Sequence, residues 1–123
     1  MSMIPMEYAG GGYEKIADYT ANSTYFSSGT VSLYANKDTR HCIMYVRSVV
    51  SKGFNNNNVE IVSIDNGYNP KTTFGVMAPA MSSGLVITPV DIVKNHYNNK
   101  VEFVKSGGLA EGLEINTNLQ WNY

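Results

Sequence analysis

Val59-Glu-Ile-Val-Ser-Ile-Asp-Asn-Gly-Tyr-Asn-Pro-Lys-Thr-Thr-Phe-Gly-Val76 decides the fold class. β-branched residues crowd both ends of the stretch, and Asn66-Gly67 supplies two residues that tolerate positive φ. The pattern predicts a strand, a tight turn and a second strand. Pro70 has no N–H to give to a ladder, so the second strand is expected from Lys71 or Thr72 to Met77. Nothing in the stretch carries catalytic chemistry.

The same grammar extends outward in both directions. Val31, Leu33 and Ala35 alternate with polar residues in Thr30–Ala35, as in a half-buried strand. His41–Val50 is apolar on both faces: Cys42, Met44, Val46 and Val50 share one, and Ile43, Tyr45 and Val49 share the other. A single sheet layer buries one face, so the second needs cover from another segment or another chain. Lys100–Lys105 and Leu113–Leu119 alternate again, and Tyr13–Asp18 and Leu85–Thr88 are shorter candidates. Asn22–Gly29, Lys52–Asn58 and Pro79–Gly84 read as loops. Thr88-Pro89-Val90-Asp91 resembles a helix start, with a capping Thr and a first-turn Pro. Its β-branched content favours an extended chain, yet the balance tilts to a short helical turn ending at Asn98-Asn99. Seven or eight short strands at this spacing predict an all-β chain. The expected architecture is an antiparallel β-sandwich or jelly roll with at most one short helix. Ala9-Gly-Gly-Gly12 divides it into a flexible arm, 1–12, and a single domain, 13–123.

Composition narrows the function. The chain has 123 residues, 43% hydrophobic and only 15% charged, with a net charge of −1. A typical domain carries about 25% charged residues. The nine Lys and Arg are scattered, with no run or basic helix, which argues against nucleic acid. No run approaches the roughly 20 apolar residues of a membrane span. The first residues lack a signal-peptide pattern, so synthesis in a cytoplasm without export by that route is expected. Cys42 is the only cysteine, which excludes an internal disulfide, and its apolar strand suits a buried thiol. His41 and His96 lack metal-ligand spacing, so neither metal nor cofactor is expected. Glu60 and Glu102 could face each other as glycosidase carboxylates do, but both alternate with apolar residues as solvent-side positions do. Non-enzymatic binding is the expectation. Nine Tyr, one Trp and many Asn suit saccharide recognition, where rings stack on C–H faces and amides bond hydroxyls. Aromatics and amides near turns are the candidate ligand residues: Tyr68, Asn69, Tyr97, Asn98 and Trp121.

Ile64-Asp-Asn-Gly-Tyr-Asn-Pro-Lys71 resembles the Gly-Tyr-Arg-Pro-like turn in tips of bacteriophage tail fibres and baseplate receptor-binding proteins. Asn69 stands where Arg is common. The order Gly29–Leu33, His41–Val50, the turn, Gly84–Thr88 and an aromatic Trp121–Tyr123 end is similar too. Met3–Gly12 looks like the start of small structural proteins in phages of Gram-positive hosts. The resemblance implies a homotrimeric virion protein that recognises a host cell-surface saccharide. The alternative it implies is a decoration or connector protein, bound to other virion proteins and without a ligand of its own.

Overall fold

The structure is a computed structural model that describes residues 12–65 and 67–123. The proposed arm, 1–12, lies outside these residues except for Gly12, and so does Asn66. The described chain is all-β, with no helix. The strands are β1 (Tyr13–Thr20), β2 (Phe26–Asn36), β3 (His41–Val50), β4 (Asn58–Ser63), β5 (Phe74–Ser82), β6 (Leu85–Lys94), β7 (Lys100–Val104) and β8 (Glu114–Asn122). They form one antiparallel sheet in the order β1-β2-β3-β8-β5-β6-β7-β4. The sheet curls into a half-barrel around one core.

The period-2 pattern explains the curl. Val31, Leu33 and Ala35 of β2, Cys42, Met44 and Val46 of β3, and Ile115 and Leu119 of β8 are at most 1% exposed. They meet Ile92 of β6 and Phe103 of β7, both fully buried, across the interior. Burying each such side chain is worth about 1.5–3 kcal/mol, which drives the two halves of the sheet together. β5 and β8 pair only at Ala80↔Ile115 and Met81↔Glu114, and the sheet bends there. At the opposite seam the edge strands β1 and β4 approach without forming a ladder. Asn22 ties them there, its backbone N–H donating to Ile61 O at 2.8 Å.

Several boundaries differ from the sequence expectation. The stretch 59–76 holds two strands, but they do not pair with each other. β4 pairs with β7, while β5 pairs with β6 and β8. β4 to β7 form a Greek key, with the first strand lying beside the last. The segment between them is a crossing loop, anchored where Ile64 N donates to Asn99 O at 2.9 Å. Gly67 does adopt positive φ, at +99°.

The helical turn expected at 88–98 is absent, because β6 runs through to Lys94. Val90, Ile92 and Lys94 alternate inward, and the ladder to β5 outweighs the capping pattern. The loop expected at Pro79–Gly84 is strand as far as Ser82. Its prolines are tolerated because Pro79 sits opposite Pro89. Neither could donate, so the pair occupies a non-hydrogen-bonded site and both missing N–H groups face outward.

The second apolar face of β3 is partly covered within the chain. Ile43 is 6% exposed and lies between Tyr34 of β2 and Gln120 of β8 in the register. Tyr34 and Tyr45 close over that face with ring centroids 6.0 Å apart. Tyr45 and Val49 on the same face are half-buried.

Ser48 is 1% exposed, and its hydroxyl has no hydrogen-bond partner among the described residues. An unsatisfied buried hydroxyl costs about 1–3 kcal/mol. Ser48→Ala is expected to stabilise the fold by about 1 kcal/mol. Urea unfolding should show a higher midpoint at an unchanged slope.

Candidate functional site

β6 delivers Lys94 to one end of the half-barrel, where the loops 64–73 and 95–99 meet. Lys94 is fully buried. A buried ammonium needs acceptors, since an uncompensated charge there would cost several kcal/mol. It has three: Asn69 Oδ1 at 2.8 Å, Asn95 O at 2.6 Å and Asn98 O at 3.1 Å. None is a carboxylate. Desolvation therefore dominates and pulls the ammonium down to about 8. Burial likewise pushes the Cys42 thiol up to about 12, so it is an inert core residue.

The lysine fastens both loops from beneath, and further bonds lock them. Asn69 Nδ2 donates to Asn99 Oδ1 at 3.0 Å. Trp121 Nε1 donates to Tyr68 O at 2.7 Å. Tyr68 and Tyr123 stack edge to face at 5.3 Å, and Arg40 lies over Tyr123 at 4.5 Å. On the outer side, His96 N–H donates to Thr73 Oγ1 at 3.1 Å, and the same oxygen lies 2.7 Å from His96 Nδ1. The Thr73 hydroxyl thus holds both the backbone and the ring of His96 in place.

Tyr68, Asn69, Asn98 and Trp121 thus converge around Lys94, with Tyr97 on the loop above. Their states differ. Tyr97 is 71% exposed, the only large aromatic so placed among the described residues. Its ring meets His96 edge to face at 5.2 Å. Trp121 is 6% exposed and packs against Phe74, so it supports the loops and is no stacking platform. Asn69 spends its amide on Lys94 and Asn99. Tyr68 and Asn98 are half-buried. His96 and Lys94 were not singled out in the sequence. The alternation Val90-Ile92-Lys94 signals the lysine's inward position once the segment is taken as a strand.

Other candidates carry less. Glu60 and Glu102 are direct partners across β4 and β7. Glu60 lies 3.6 Å from the Lys100 ammonium, and Glu102 accepts from Asn95 Nδ2 at 2.6 Å. Each carboxylate therefore has its own partner. No group of three or more His, Cys, Asp or Glu is placed to hold a metal among the described residues. A concavity of about 620 Å³ is the open seam between β1 and β4, lined by residues such as Asp18, Asn22 and Glu60. Asp18 is committed to Lys15 and Ser32, which leaves little there to single out a ligand. No known family model matches the chain, and no curated protein matches it.

Proposed function

We propose that this chain is a non-enzymatic virion protein that attaches by recognising a saccharide on the host cell surface. The observation that carries the reading is the exposed Tyr97 ring on a loop fastened from below by Lys94. A flat ring held still loses little entropy when it stacks on a sugar face. The His96 ring and the amide N–H groups of Asn98, whose Oδ1 already accepts from Lys100 N at 2.9 Å, lie beside it in the chain as hydroxyl partners. The virion setting draws on the resemblance at Ile64–Lys71 and in strand order. The scattered cations and the separately partnered carboxylates fit a protein that binds rather than reacts.

The connector reading has one observation in its favour, the exposed Leu85, Val86 and Ile87 at the opposite end of β6. Tyr97→Ala separates the two. On a glycan array and in pull-down by host cell walls, the native chain is expected to bind. The variant should bind about tenfold more weakly, since an aromatic contact of this kind is worth roughly 0.5–1.5 kcal/mol. Thermal stability should not change, because the ring is exposed. Absence of binding by the native chain to every host surface fraction would defeat the saccharide reading and leave the connector.

A further inference from the structure

We propose that the outward face of β2, β3 and β8 is a second binding surface, on which an extended saccharide chain lies along the amides of β8. Three rows cross these strands in register: Tyr34, Ile43 and Gln120; Ser32, Tyr45 and Asn118; Thr30, Arg47 and Asn116. The outward side of an antiparallel sheet is ordinarily polar throughout. Here an apolar strip of Tyr34, Ile43 and Tyr45 runs through it. Both rings are half-buried, so part of each faces solvent. Asn116, Asn118 and Gln120 are exposed, and their side-chain amides make no hydrogen bond among the described residues.

The frame around the rings selects the occupant. Each free amide offers donors and an acceptor together, and the exposed Thr30 hydroxyl stands across from them. Sugar hydroxyls also give and take, and their rings present C–H faces to aromatic side chains. Asn116 to Gln120 spans about 14 Å at strand rise, so a chain rather than a single sugar can follow the amides. At the Arg47 end β2 bulges between Phe26 and Ser28. There Thr30, Arg47, Val49 and Glu114 help to line a concavity of about 290 Å³ that would seat one end of the chain.

Other occupants match less well. β2 and β3 are laddered on both sides, so no peptide strand can add to them. Ile43 is already covered, which leaves part of two rings as the apolar anchor, too little for the core of a stable protein contact. Arg47 is the one cation in the three rows, too few for a polyanion. The surface takes its class of ligand from the saccharide reading, but it shares no residue with the Lys94-fastened loops.

Host cell-wall polysaccharide, cleaved and sized into short and long fragments, tests it by calorimetric titration of the full chain. Long fragments are expected to bind more tightly than short ones. Asn116→Ala with Asn118→Ala and Gln120→Ala should weaken the long fragments about tenfold or more. All three sites are exposed, so an unchanged melting temperature shows that the fold survives. The same loss in a Tyr97→Ala background would uphold the surface whether or not the loop binds. Binding that falls in Tyr97→Ala but ignores the triple variant would leave the loop site standing and overturn this surface. Equal affinity for short and long fragments would overturn it as well. Failure of every fragment to bind the native chain would overturn both.

Discussion

Lys94→Met is expected to lose about 2 kcal/mol of stability at pH 7 and to fall further behind the native chain as the pH rises. Three acceptors would lose their donor, and each orphaned buried acceptor costs about 1–3 kcal/mol. Removing a desolvated ammonium returns part of that loss. The pH dependence has a definite sign. Lys94 titrates near 8 in the folded chain against 10.5 ordinarily. Between these values the unfolded chain binds more protons, so folded stability rises with pH and reaches its full gain above 10.5. The gain is at most about 3 kcal/mol, at 1.36 kcal/mol per pH unit. The variant has no such gain, and the difference between the two proteins should widen across this window. Cys42 works in the opposite sense, because its thiol is pushed up from 9 to about 12 and folded stability declines above 9. It is present in both proteins, so the comparison largely cancels it. Urea unfolding at pH 7, 9 and 10.5 measures the effect. A constant difference would show that the ammonium is not desolvated.

Gly108→Ala is expected to cost about 3 kcal/mol or more, enough to unfold a marginal domain. Gly108 has φ of +75°, and a Cβ there would lie 1.9 Å from the Phe54 carbonyl oxygen. Both sides of that clash are backbone, so neither can swing away. The contact is tight because Phe54 and Leu109 exchange two backbone hydrogen bonds of 3.0 Å. Those bonds pull the loops 51–57 and 105–113 over the core, where the Phe54 ring sits edge to face with Tyr25 at 5.1 Å and Phe103 at 5.6 Å. Gly107 is the control. Its φ is +84°, but a Cβ there meets nothing within 4 Å. Gly107→Ala should cost only the left-handed penalty, about 1–2 kcal/mol. Thermal unfolding of the pair separates steric contact from backbone preference.

The strands could be read from the chain wherever alternation was clean. Thr30–Ala35 and His41–Val50 lie within observed strands, and Lys100–Lys105 overruns β7 by one residue, because one buried face imposes a period of two. Two kinds of information were not local. Val59–Ile64 was recognisable as a strand, but its partner across the Greek key is β7, a segment some forty residues further on. Thr88-Pro89 has the local chemistry of a helix start, and only the neighbouring β5 shows it to be strand. The candidate site was half legible for the same reason. Turn-borne Tyr68, Asn69, Tyr97 and Asn98 did gather at one end. What ordered them was Lys94, whose burial follows from the strand missed at 89–94. The Trp121 ring suits stacking by its chemistry alone, yet its place on the inner face of β8 turns it into a support.

Amide chemical shifts of the full-length protein, followed while host cell-wall saccharide is added, test the central claim most directly. The claim is that the Lys94-fastened loops form a ready-made recognition surface. The shifts should move at Tyr68–Asn69 and Asn95–Asn99, stay fixed in the β5–β6 hairpin and along the β1–β4 seam, and need about tenfold more saccharide in Tyr97→Ala. Shifts confined to the seam, or none with any saccharide fraction, would contradict it.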